Sequence, residues 1–111
     1  MNITEQDLGN GILKLSLQGL LDRHGSAAAG SRLARAVADF DTTIVDLKNV
    51  PAVGAVGLRV LVQAAMSADR SRARLVAVNA PETARRVIYT TGLDEIVSIA
   101  DDDATGYPEA A

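Results

Sequence analysis

The stretch of residues 43–68 carries the clearest structural signal in the chain and reads TIVDLKNVPAVGAVGLRVLVQAAMSA. Its first five residues, Thr43 to Leu47, are mostly apolar and rich in β-branched side chains, which is typical of a short buried strand. Pro51 ends any regular run, and apolar residues then recur at helical spacing between Val56 and Ala68. A buried strand that leads through a short loop into an amphipathic helix predicts one unit of an α/β domain.

The same two periodicities continue on both sides of this unit. Residues 12–18 alternate apolar and polar side chains from Leu13 onward, which favours a half-buried strand. The turn signal Gly9-Asn10-Gly11 pairs that strand with residues 2–8 in a hairpin. The other predicted elements are a helix, a strand, a helix and a last strand, at residues 26–39, 74–78, 81–90 and 95–99.

The order β-β-α-β-α-β-α-β predicts an α/β domain with a mixed sheet. Strand–helix–strand units give parallel pairing with right-handed crossovers, and the leading hairpin adds an antiparallel strand. Each helix has one apolar stripe, so we expect the helices to pack mainly on one face of the sheet. We assign residues 1–100 to this single domain. Residues 101–111, with three consecutive aspartates followed by Gly106 and Pro108, predict a flexible acidic tail.

Composition excludes several classes of function. The hydrophobic share of 48% and the charged share of 23% are those of a globular protein. Without cysteine, the chain has no thiolate metal site and no thiol nucleophile, and one histidine cannot complete a zinc site without carboxylates. The sequence has no apolar run of membrane-spanning length and no signal-peptide start, so we expect a cytoplasmic protein without membrane insertion.

Charge is unevenly distributed along the chain. Residues 94–111 carry six acidic residues and no basic ones, whereas the rest carries eleven basic and eight acidic residues. The basic residues cluster at Arg70, Arg72 and Arg74 and again at Arg85-Arg86. Because no aromatic residues are interleaved with them, we interpret the clusters as a solvated rim and expect no direct DNA binding.

Evidence for catalysis is almost absent. A catalytic triad would need His24 beside Ser26 or Ser31, but serines at the start of an Ala-rich helix are more typical of caps. Asp22 and Asp46 could form a carboxylate pair, although cap and turn bonds explain both more simply. The glycines of residues 54–57 lack the Gly-Lys-Ser/Thr sequence that would engage a triphosphate. We predict no catalytic residue, no metal site and no cofactor.

Four short segments together resemble a known family. Gly19-Leu20-Leu21-Asp22 follows a strand, Asp46-Leu47-Lys48-Asn49-Val50 ends another, and Gly54-Ala55-Val56-Gly57-Leu58 begins eight residues after Asp46. The fourth segment is Ala84-Arg85-Arg86-Val87 followed by Thr91-Gly92-Leu93. In this order and spacing the segments resemble the G-x-L-D, D-L-x-x-V, D-S-(S/T)-G-L and final-helix motifs of STAS domains. The resemblance covers residues 3 to about 100 and is to bacterial anti-sigma factor antagonists in particular.

The resemblance implies partner switching, in which an unphosphorylated STAS domain binds an anti-sigma kinase and phosphorylation of the motif's first serine breaks the complex. Here the acceptor position is Ala55, the preceding acid is Gly54 and the second hydroxyl position is Val56. No Ser, Thr or Tyr lies between Thr43 and Ser67, so this segment has no phosphorylation site. We therefore expect an anti-sigma factor of the kinase type as partner, bound without that control. The expected partner-binding residues are Asp22, Arg23, His24, Gly54, Ala55, Val56, Gly57, Leu58 and Arg59.

Other interpretations stay open at this point. Gly57 and Leu58 could serve only to pack the helix on the sheet, and Asp22 could serve only a turn. The chain could be a STAS subunit of a larger assembly, such as a stress-signalling complex or a lipid transporter. It could also sense an anion or nucleotide through backbone N–H groups at Gly57. A homodimer is compatible with the sequence.

Overall fold

A two-stranded hairpin begins the fold. The computed structural model describes residues 1–95 and 97–100. Strand β1 (Asn2–Gly9) pairs antiparallel with β2 (Ile12–Gln18), with Asn2 opposite Gln18. Gly9, Asn10 and Gly11 all have positive φ angles, of 84°, 56° and 77°. Asn and Gly tolerate this backbone region best, which is why the turn forms at the predicted place.

The remaining elements alternate between helix and strand. They are α1 (Arg23–Asp39), β3 (Thr42–Asn49), α2 (Ala55–Arg70), β4 (Arg74–Val78), α3 (Glu82–Thr90), a 3₁₀ turn (Leu93–Glu95) and β5 (Ser98–Ala100). The sheet order is β1-β2-β3-β4-β5, and the pairs β2–β3, β3–β4 and β4–β5 are all parallel. The predicted α/β class with a mixed sheet is therefore confirmed.

The larger core lies between the sheet and the three helices. Alternate residues of the strands, such as Leu15, Val45 and Ala77, pack against one side of each helix, where Leu33 of α1 and Ile88 of α3 are buried. The intervening strand residues belong to a smaller apolar cluster, formed by Ile12, Ile44, Val76 and Val78. The two clusters occupy opposite faces because successive strand side chains point to opposite sides of the sheet. The helices thus share one face, as predicted.

Two elements differ by three residues at their start from the sequence prediction. Helix α1 begins at Arg23 rather than residue 26, because the Asp22 side chain accepts hydrogen bonds from the N–H groups of His24 and Gly25. The last strand is Ser98–Ala100 rather than 95–99, because a 3₁₀ turn takes up Leu93–Glu95. The predicted acidic tail at 101–111 lies outside the described residues. None of the described helices is long and apolar enough to cross a membrane.

Candidate functional site

Two crossover loops lie side by side at the carboxyl ends of β2 and β3. Gly19 donates its N–H to the carbonyl of Asn49 at 3.0 Å, and Leu21 donates to the carbonyl of Ala52 at 3.2 Å. In return, the Gly54 N–H donates to the Leu21 carbonyl at 3.0 Å, and Leu21 forms an isolated parallel bridge with Val53. These backbone bonds place the N-terminal ends of α1 and α2 next to each other, although the two loops are far apart in sequence.

Two glycines make this close approach possible. A Cβ on Gly57 would lie 2.3 Å from the Leu21 carbonyl oxygen and 2.7 Å from the Leu21 Cβ. A Cβ on Gly25 would lie 2.3 Å from the Leu20 carbonyl oxygen. Both distances are far below van der Waals contact, so any larger residue would push a helix away from the loops. Gly57 is buried and Leu58 is half-buried against the main core, which gives both residues a packing role.

Asp22 begins α1. Its Oδ1 accepts hydrogen bonds from the N–H groups of His24 and Gly25, each at 3.0 Å. These bonds, the one from Gly25 first, hold the pKa of the Asp22 carboxyl below its ordinary value, because they favour the charged carboxylate. Arg23 and His24 are exposed on the first turn of α1. The predicted turn role of Asp22 is therefore realised as a helix N-cap.

The start of α2 is exposed, apolar and uncapped. Gly54 is the N-cap residue and provides no side-chain hydrogen bond to the first turn, which also carries no acidic residue. Gly54, Ala55, Val56 and Arg59 are all exposed. This end of the helix therefore presents the positive end of its dipole without a carboxylate to offset it.

Apolar side chains surround this helix start. Val56 is 39% exposed, Leu20 on the neighbouring loop is 49% exposed, and Met1 is 38% exposed. Met1 reaches the same region, since its Cε lies 3.3 Å from the position of a Cβ on Gly25. We call the surface made by Leu20, Asp22, Arg23, His24, Gly54, Ala55, Val56 and Arg59 the docking end. Exposed apolar groups beside a neutral helix start are what a protein partner can cover.

The residues considered for catalysis are not assembled into a site. Ser26 is 1% exposed and its Oγ has no hydrogen-bond partner, while His24 is exposed. Asp46 lies in β3 among other partners: it accepts from the Lys48 N–H at 3.0 Å and from Asn79 Nδ2 at 3.3 Å. Asp22 and Asp46 thus serve separate structural roles. Within residues 1–95 and 97–100, no group of three or more His, Cys, Asp or Glu could hold a metal ion.

Sequence reasoning missed one residue beside the docking end. The hydroxyl of Thr83, in the first turn of α3, donates to the Pro51 carbonyl at 3.1 Å and so ties α3 to the loop before α2. The sequence placed residue 83 at a helix start, but a contact between residues 32 positions apart leaves no local signal. Thr83 is exposed and carries a hydroxyl, whereas the loop beside it contains no hydroxyl side chain.

Comparison with known proteins identifies the family. The model of the STAS domain family matches residues 5–105. The chain therefore belongs to the STAS domain family.

Solved structures agree with this assignment. The anti-sigma factor antagonist SpoIIAA in its unphosphorylated form matches with a TM-score of 0.79 at 16% identity, over 99% of this chain and 98% of its own. An anti-sigma factor antagonist from Mycobacterium paratuberculosis matches with a TM-score of 0.76 at 26% identity, over 88% and 83%. The fold of this chain is thus that of anti-sigma factor antagonists.

The fold is also shared with a protein of another kind. A sulfate transporter family protein from Wolinella succinogenes matches with a TM-score of 0.71 at 14% identity, over 87% of this chain and 82% of its own. No protein with a curated description matches at the sequence level.

Proposed function

We propose that this STAS domain is a protein-binding regulator that binds an anti-sigma factor of the kinase type through the docking end. The observation that carries the proposal is the exposed Ala55 at the uncapped start of α2. This position corresponds to the phosphorylated serine in the motif that the sequence resembles. Exposed Val56 and Leu20 beside it supply apolar area for a partner to bury.

The proposed binding is constant rather than switched at this position. Ala55 has no oxygen to accept a phosphoryl group, and residues 44–66 contain no other hydroxyl. The first turn of α2 therefore has no charged side chain, and a partner can cover it without desolvating an added charge. The proposed function includes no catalytic step, because the chain acts only by binding its partner.

Titration calorimetry with the anti-sigma kinases of the same genome tests the proposal. In the Ala55→Asp variant, a charge desolvated at the interface should cost about 2–5 kcal/mol, a loss of affinity of about thirty-fold or more. The matched control is Ala38→Glu, which adds one negative charge at an exposed position about 22 Å along α1 from its start. Equal affinity for the wild type and Ala55→Asp, with both folded, would place the interface elsewhere.

A second candidate is a STAS subunit of a larger assembly, such as a transporter or a stress-signalling complex. It is favoured by the likeness to the Wolinella succinogenes sulfate transporter family protein. Co-purification from the native host separates the two: a kinase-type anti-sigma factor supports the first function, and a transporter component supports the second.

A further inference from the structure

The outer surface of the α1–α2 pair carries a groove separate from the docking end. Its volume is about 430 Å³, and it is lined by Gly30 and Ala34 of α1 and by Val60, Gln63, Met66 and Arg70 of α2. We call it the α1–α2 groove. It lies on the side of the helices turned away from the sheet, so it is not part of the core between the helices and the sheet.

The shape of the groove comes from small residues on α1. A Cβ on Gly30 would lie 3.6 Å from Cγ2 of Val60, so the two helices approach closely there and leave a shallow floor. Ala34, one turn further along α1, is exposed. Met66 on the α2 wall is 48% exposed, and its flexible thioether side chain can adapt to a partner. An apolar groove between two helices commonly binds the apolar face of a third, amphipathic helix.

The α2 edge of the groove is basic, because Arg70 lines the groove and Arg59 lies on the same side of α2 just beyond the lining. Arg59, Gln63 and Arg70 are exposed and follow one stripe of α2, at positions i, i+4 and i+11. The two arginines are about 16 Å apart along the helix axis. Arg70 donates to Ser67 Oγ at 3.2 Å, and no carboxylate of residues 1–95 and 97–100 forms an ion pair with either arginine. Asp69, the nearest acid in sequence, is turned about 100° away around the helix.

We propose that the α1–α2 groove binds an amphipathic helix of a partner protein whose flanks are acidic. Small apolar side chains of that helix would lie on Gly30 and Ala34. Carboxylates about three turns apart would pair with Arg59 and Arg70. A second copy's groove is a poor occupant, because two faces with the same row of arginines repel each other. Arg59 also belongs to the docking end, whereas Gly30, Ala34 and Arg70 do not. The assignment does not depend on the identity of the partner bound at the docking end.

Two synthetic 16-residue peptides test the proposal by fluorescence anisotropy. They share one Ala/Leu stripe, and one carries Glu and the other Lys at the flanking positions. We expect the Glu peptide to bind at least ten-fold more tightly than the Lys peptide, and added salt to weaken it. The Arg59→Gln/Arg70→Gln double variant should lose this preference. The Arg35→Gln/Arg72→Gln double variant, matched in charge but outside the groove, should keep it.

An uncharged variant tests the floor of the groove. Ala34→Gln adds bulk at an exposed helical position without changing charge, and should weaken Glu-peptide binding at least ten-fold while the circular dichroism spectrum stays unchanged. Equal affinity for the two peptides, or full Glu-peptide binding by Arg59→Gln/Arg70→Gln, would overturn the proposal.

Other occupants give different results. If neutralising the final acids in the full chain (Asp101→Asn, Asp102→Asn, Asp103→Asn and Glu109→Gln) tightened Glu-peptide binding ten-fold, the chain's own end would be the occupant. If sedimentation showed a dimer that the Ala34→Gln variant dissociates, the occupant of the groove would be a second copy of this chain. Either result overturns the partner assignment. The Ala34→Gln variant should bind the anti-sigma factor with wild-type affinity, because Ala34 lies outside the docking end, so failure at the groove and failure at the docking end can be distinguished.

Discussion

Gly57 lies so close to Leu21 that hydrogen is the only side chain the site accepts: a Cβ there would be 2.3 Å from the Leu21 carbonyl oxygen. That same oxygen accepts the Gly54 N–H at 3.0 Å. The Leu21 carbonyl oxygen therefore both limits how closely α2 can approach and accepts one of the hydrogen bonds between the two crossover loops.

We predict that Gly57→Ala lowers the free energy of unfolding by about 1–3 kcal/mol, because the added methyl group meets backbone rather than a flexible side chain. Chemical denaturation measures this change. The control is Gly30→Ala, also within a helix, where the new Cβ would have ordinary contacts of 3.6 and 3.7 Å with Val60. That variant should be more stable by about 0.4–1 kcal/mol, because alanine has less conformational entropy to lose. Equal effects of the two substitutions would contradict the packing seen at Leu21.

A second prediction concerns acid stability at Asp22. Its pKa is lower in the folded protein than in the unfolded chain, so its contribution to stability is present above the unfolded pKa, near pH 4, and is lost as the pH falls through the folded pKa. Asp22→Ala should lower the melting temperature at pH 7, and the difference from wild type should shrink below about pH 4. Asp22→Asn keeps a capping side chain that does not titrate. The difference in melting temperature between Asp22→Asn and Asp22→Ala should therefore stay constant across the same pH range. If this difference also shrank below about pH 4, the pH dependence would come from a group other than Asp22.

Under the proposed function, a serine at position 55 should be phosphorylated. The wild-type chain, incubated with the proposed anti-sigma kinase and ATP, should carry no phosphate in the tryptic peptide of residues 49–59. Ala55→Ser should gain one phosphate in that peptide, and binding should weaken as it forms, because the phosphate adds about −1.5 to −2 charges at the docking end. Mass spectrometry measures both. Stoichiometric phosphate on Ser31, Ser67 or Thr83 of the wild type would contradict constant binding; Ser26 is buried and is not an accessible acceptor.

The hydrogen bond between Thr83 and Pro51 should stiffen the loop before α2. Thr83→Val keeps the shape of the side chain and removes the donor, so we expect a loss of about 0.5–1.5 kcal/mol in unfolding free energy. Amide hydrogen exchange should become faster in residues 52–54. Thr90→Val, at the other end of α3, is the control and should leave exchange in that loop unchanged. Unchanged exchange in Thr83→Val would show that the bond does not restrain the loop.

The sequence predicted those elements of the fold in which apolar residues recur at a regular spacing. The alternation from Leu13 to Leu17 and the helical spacing after Val56 each reflect one buried face, and the structure has both. The start of α1 was missed because Arg23-His24-Gly25 has no apolar periodicity, and the cap at Asp22 outweighs their weak helix propensity. Gly57 is necessary because a side chain there would clash with Leu21, which lies in another loop. The sequence alone could therefore suggest a packing role for Gly57 but could not distinguish it from a role in partner binding.

The candidate site was predictable only as a set of loop residues. Local patterns placed Asp22 and Ala55 each before a helix, and the family resemblance brought them together. Neither could indicate that Leu20 and Val56 are exposed at the same end, or that Thr83 reaches Pro51, because both depend on how separate loops pack.

Under the proposed function, the backbone bonds between the two crossover loops have a consequence for how this domain can change over generations. Shape at the docking end is fixed by main-chain atoms and by Gly25 and Gly57, whereas its chemistry is fixed by the exposed side chains at positions 54 to 56. A single codon change at position 55 would then add or remove a phosphorylation site, while the shape of the surface stays the same. Responsive and permanently active forms of such a domain are then neighbours in mutational space, one step apart.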